Sequence, residues 1–150
     1  MAEEALIIFP VVGLGIILGL YELILIHRDE SFRGSHWLGH GLHSIIIMMV
    51  CLFIVLNTET FFDLAGVMNW GLPLWMTNLW VFRVLVGLVL NIKMHAMSAV
   101  IKGGAFKGGL SGSMAEHWTH TILVSTLVVT SPLYLPVLQP FLPDWMGGLK

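Results

Sequence analysis

The chain has 150 residues, of which 57% are hydrophobic and only 11% charged, with a formal net charge of -2, and its mean hydropathy is +0.87. A soluble domain averages about 25% charged residues, so this chain has too few to cover a water-facing surface, and a bilayer is its natural solvent. The charge balance is not basic enough for a nucleic-acid footprint, and the single cysteine, Cys51, excludes an intramolecular disulfide and a Cys-based zinc site.

The fold class expected is all-α integral membrane: one domain of four transmembrane helices arranged as two hairpins. The start is acidic, with Glu3 and Glu4. A secretory signal begins with positive charge, so the first apolar run is expected to be a retained span over about residues 5–26. Gly15 and Gly19 form a small-xxx-small pair that seats a neighbouring helix closely. Near the end of the same run stands Glu22. A carboxyl inside a membrane segment is expensive unless paired and is a functional candidate by default.

The second span is expected over about 37–57, with an almost wholly apolar stretch from Ile45 to Leu56 that includes Cys51. That cysteine reads as a small packed hydrophobe. Residues 58–73, with Phe61, Phe62, Trp70 and Pro73, form a longer connection expected to lie in the interface. The third span is expected over about 74–93 and carries Arg83. A guanidinium there needs a partner, from among Asn57, Glu59, Asp63 and Asn78, or else a route to the headgroups by snorkelling. The fourth span is expected over about 118–138, kinked or ended by Pro132 and Pro136. Asn91, Thr126 and Thr130 read as interhelical hydrogen-bonding groups. The tryptophans, Trp145 among them, read as interfacial anchors.

Charge placement gives a direction. Arg28, Arg33, Lys93, Lys102 and Lys107 fall on or beside the loops 27–36 and 94–116. Glu3, Glu4, Glu59, Asp63 and Asp144 fall at the other end, with Lys150 as its basic side chain. By the positive-inside rule the two basic loops face the cytoplasm and both termini lie outside.

All seven histidines fall on the side assigned to the cytoplasm. His36, His40 and His43 are spaced to share one helical face, as are His117 and His120. Imidazole is the commonest metal ligand among side chains. The metal-site candidates are therefore His40, His43, His117 and His120, with His36, His95 and Glu116 in reserve; copper, iron, zinc or a b-type haem are the cofactors they suit. The competing reading makes these histidines interfacial or subunit-contact residues. His40-Gly41-Leu42-His43-Ser44-Ile45 and His117-Trp118-Thr119-His120-Thr121-Ile122 share the pattern H-x-x-H-[S/T]-I. An internal duplication would place the two pairs at one depth; coincidence in a low-complexity membrane sequence is the alternative.

No nucleophile, base and acid are patterned together, so no catalytic residue is assigned. The first functional expectation is a small accessory subunit of a larger membrane complex, such as a respiratory or membrane monooxygenase assembly, with the bilayer and other membrane subunits as partners. A His-ligated metal or haem redox protein is the second. An oligomeric transporter or channel using Glu22 and Arg83 is the third.

Overall fold

The structure, a computed structural model, describes residues 6–28, 37–101 and 118–146, with side chains over 6–24, 42–94 and 118–146. The described residues form six α-helices and no strand: α1 (Phe9–Arg28), α2 (Trp37–Leu56), α3 (Thr58–Ala65), α4 (Leu79–Ile101), α5 (Trp118–Val129) and α6 (Ser131–Leu138), with short 3-10 turns at Val67–Asn69, Gln139–Phe141 and Asp144–Met146. Helix α1 lies against α2, α2 against α4 and α4 against α5, while α5 and the Asp144–Met146 turn close onto α1. The result is an up-and-down bundle. Its interior is built from Leu14, Leu18, Met48, Leu52, Val55, Leu90, Met94, Val124 and Val128.

Small residues set the close approaches. A Cβ on Gly15 would lie 2.5 Å from Cγ of Met49, and one on Gly19 would lie 2.5 Å from Cγ1 of Ile45. The expected small-xxx-small pair therefore faces α2, and the two helices nest backbone to side chain. Gly87 does the same on α4, where Val129 of α5 fills the missing side-chain position. Gly13 is covered by Met146, which ties the C-terminal turn to α1.

The helix boundaries differ from the expected ones where local chemistry intervenes. Helix α4 begins at Leu79, not near residue 74. Asn78 Oδ1 accepts from the backbone N–H of Trp80 at 2.9 Å and of Val81 at 3.3 Å, which makes it an N-cap. Ahead of it Pro73 and Met76 close a turn, Met76 N–H to Pro73 C=O at 2.8 Å. The connection 58–73 is not a plain loop, since it contains α3, which ends at Gly66 in the left-handed region (φ 61°) with its N–H turned back to Asp63 and Phe62. Phe61 and Phe62 clamp Phe82, with ring centroids 5.6 Å and 4.9 Å apart, so α3 is pinned to the first turn of α4.

Two junctions bend sharply. Helices α2 and α3 meet at 82°, and α5 and α6 at 64°. The second bend falls where Pro132 removes a backbone donor. The Tyr134 hydroxyl donates to the Leu127 carbonyl at 3.0 Å, and Thr130 Oγ1 donates to Thr126 C=O at 2.7 Å. Thr130 thus serves its own helix and Thr126 is exposed, a correction to their expected interhelical role. Among the described residues no single helix is long and apolar enough to cross a membrane; the pairs Leu42–Leu56 with Thr58–Ala65 and Trp118–Val129 with Ser131–Phe141 pass that test only together.

Polarity runs from inside to outside in an unusual sense. Large apolar side chains stand exposed on every long helix: Leu20 at 55%, Ile46 at 61%, Val89 at 64% and Ile122 at 52%. Glu22, Ser44, Asn91, Thr121, Ser125 and Ser131 are buried.

Candidate functional site

Two groups of polar side chains lie inside the bundle. The first is at the end that carries α3. Leu56 is the last residue of α2, so the carbonyls beyond Phe53 run out of helical donors. Phe53 C=O accepts the Asn57 backbone N–H at 3.0 Å and also Asn57 Nδ2 at 2.9 Å. The same amide also pairs with the extended segment before α1, accepting from Ile7 N–H at 2.7 Å and donating to Ile7 C=O at 3.1 Å. Thr58 Oγ1 donates to Ile54 C=O at 3.0 Å and Val55 C=O at 2.8 Å.

Arg83 completes this group from α4. Its Nε donates to Val55 C=O at 3.1 Å and to Thr58 Oγ1 at 3.2 Å, and its Cζ lies 4.9 Å from the centroid of the Trp80 ring. Glu59 acts on it electrostatically. Of the partners expected from sequence, only Glu59 has this role. The two direct acceptors, a backbone carbonyl and a threonine hydroxyl, were not expected, because only the 82° bend presents them to α4.

The second group lies deeper along the bundle, away from α3. Asn91 Nδ2 donates to Thr121 Oγ1 at 3.2 Å and to Ser125 Oγ at 3.4 Å. The two hydroxyls donate in turn to Trp118 C=O and Ile122 C=O. Asn91 is therefore the interhelical group it was expected to be. Glu22 and Ser44 are both 0% exposed. Ser44 Oγ is a buried atom with no hydrogen-bond partner among the described residues. Ser44 carried no signal of its own beyond its place in the repeated H-x-x-H-[S/T]-I pattern.

Two of the histidine candidates have described side chains. His43 is exposed and His120 is half-buried. The side chains of His27, His36, His40, His95, His117 and Glu116 lie outside the described residues, as do the glycine-rich segment and the loop 29–36. Among the described residues no three His, Cys, Asp or Glu side chains come together in a way that holds a metal ion. Cys51 is free and buried, as expected of a small packed hydrophobe. No known protein family, curated protein or solved structure matches the chain.

Proposed function

We propose that the chain is an integral membrane protein that acts as a small non-catalytic subunit of a larger membrane assembly. The observation that carries this reading is the apolar exterior of the bundle. Side chains such as Leu20, Ile46, Val89 and Ile122 are exposed around the long helices, while Ser44, Asn91, Thr121 and Ser125 are buried between them. In water, large apolar side chains exposed on every long helix are what a soluble monomer avoids. In a bilayer they form the ordinary lipid-facing surface, and interior Asn, Ser and Thr supply the interhelical hydrogen bonds that membrane helices use.

By backbone length alone, α1 and α2 with 20 residues each and α4 with 23 reach about 30 Å or more, the thickness of a hydrocarbon core; by length and apolar character together, only the two bent pairs pass among the described residues. Helix α3 turns nearly at right angles to α2 and exposes Glu59, Asp63 and Leu64, as suits a segment lying along the interface. The small size and the lipid-like exterior fit a subunit that works through neighbours in the membrane. On the charge distribution, both termini lie outside and the basic loops face the cytoplasm.

The test is extraction of the full chain from the cells that make it. Alkaline carbonate should leave it in the membrane pellet. In mild detergent it should migrate well above its own 16.7 kDa, with other subunits in fixed stoichiometry. Release into the carbonate supernatant would overturn the membrane reading. A pelleted chain that runs as a monomer in every mild detergent would overturn the subunit reading. A metal analysis and visible spectrum of the same preparation test the histidine-ligated alternative directly.

A further inference from the structure

Arg83 of α4 is held by one edge of its guanidinium. Nε donates to both Val55 C=O and Thr58 Oγ1, and Cζ sits over the Trp80 ring. Every hydrogen bond that Arg83 makes among the described residues runs through Nε. Nη1 and Nη2 are not among the buried atoms left without a partner, and the side chain is half-buried. The outer edge of the fork is therefore open to whatever surrounds the bundle. A guanidinium carries donors on all its nitrogens, fixed in one plane, and here the terminal ones keep theirs for a group outside the described residues.

Position indicates what that group is. Arg83 lies about 6 Å along the axis of α4 from Leu79, its first residue. Thr58, which it touches, opens α3, the helix that turns 82° away from α2. Trp70 and Trp75, on the connection into α4, and Trp80 in its first turn are all exposed. Tryptophans gather at headgroup depth, so on the membrane reading the open edge of Arg83 meets phosphates. Charge narrows the class further. Glu59 follows Thr58 directly, is exposed and acts on Arg83 electrostatically, yet no hydrogen bond joins the two among the described residues. Asp63 stands one turn on along α3 and is exposed too. A bare phosphate brought to Arg83 meets these carboxylates as like charges. A headgroup with a primary ammonium beside its phosphodiester meets them as partners.

We propose that Arg83 and Glu59 form a binding site for the headgroup of an ethanolamine phospholipid, with the phosphodiester on Nη1 and Nη2 and the ammonium on Glu59. The proposal rests on the membrane reading and goes beyond the subunit role, since it gives the bundle a lipid ligand of its own. Pairing of a guanidinium fork with a phosphate is a charge-assisted hydrogen bond, the strong kind. The fork is already fixed by Val55, Thr58 and Trp80, so little side-chain freedom is lost when the lipid arrives.

The test is native mass spectrometry of the full chain in mild detergent, in its assembly where one co-purifies. The probes are dioleoylphosphatidylethanolamine, dioleoylphosphatidylglycerol and inorganic phosphate. The parent should bind the ethanolamine lipid about tenfold more tightly than the glycerol lipid, and Arg83→Gln should weaken the ethanolamine lipid by about tenfold. Because Arg83 also serves Val55, a second variant isolates the site without touching the fold. Glu59→Gln, at an exposed position, should weaken the ethanolamine lipid, strengthen the glycerol lipid and so erase the preference. Equal binding of the two lipids by the parent, or a preference unchanged in Glu59→Gln, would overturn the proposal. So would displacement of the lipid by inorganic phosphate, which assigns the fork to a free anion. Loss of a partner subunit from Arg83→Gln with lipid binding unchanged would assign it to a protein carboxylate and overturn the proposal as well. A chain released by alkaline carbonate would instead defeat the membrane reading, before any lipid is added.

Discussion

Asn57 is the residue on which most connections converge at the α3 end. One amide reaches Phe53 C=O in its own helix and both backbone groups of Ile7. Hydrogen bonds of this kind contribute about 1 kcal/mol each, and a buried group left without its partner costs about 1–3 kcal/mol. Asn57→Ala should therefore destabilise the bundle by about 2 kcal/mol in a detergent unfolding titration. It should also speed amide exchange at Ile7. An exchange rate at Ile7 equal to that of the parent chain would show that the side chain does not hold the segment. Sequence reading named Asn57 only as a partner for Arg83. Its pairing with Ile7 joins residues fifty positions apart, and nothing in the local pattern of either segment signals it. Glu22, by contrast, stood out because a carboxylate in an apolar run is anomalous wherever it sits.

At the scale of elements, glycines decide how near the helices come. Val129 occupies the place where a side chain on Gly87 would be. Gly87→Ala should destabilise the α4–α5 pair by about 1–3 kcal/mol, the usual range for overpacking. Val129→Ala removes the obstructing methyl groups, so the double variant should be less impaired than the sum of the two single ones. Additive effects in a thermal-denaturation cycle would argue that the two positions are not in contact. The small-xxx-small spacing of Gly15 and Gly19 made the α1–α2 contact legible, and the prolines announced the bend at α6. The end of α2 was legible near residue 57, but the helix α3 inside the connection was hidden, because a segment with Phe61, Phe62, Trp70 and Pro73 reads equally well as an interfacial loop. The start of α4 was hidden for the opposite reason: Leu74 and Trp75 look like span residues, while the N-cap of Asn78 depends on two backbone contacts.

For the whole molecule, the length and order of the apolar runs were enough to expect the all-helical class. It did not give the histidines a place, since spacing on one helix says nothing of what the facing helix presents. His43 turns to the exposed surface despite its regular register with His36 and His40. On the membrane reading, the charge distribution predicts an orientation with the basic loops in the cytoplasm. In a Cys51→Ala background, a single cysteine at Asp63 should react with a membrane-impermeant maleimide added to intact cells, and one at Lys102 should react only after the membrane is opened. The reverse pattern would invert the topology while leaving the bundle intact.

The capping of Val55 by Arg83 has a consequence for biogenesis. A ribosome delivers α2 before α4, so at first the broken end of α2 has Asn57 and Thr58 to serve its carbonyls but no guanidinium. The early hairpin is thus incomplete at its α3 end, and that end must find another donor, such as water, until the third long helix arrives. Arg83 then closes the gap and, in doing so, moves its own charge from solvent onto protein acceptors. α4 is accordingly the segment whose arrival completes the α3 end of the ones made before it.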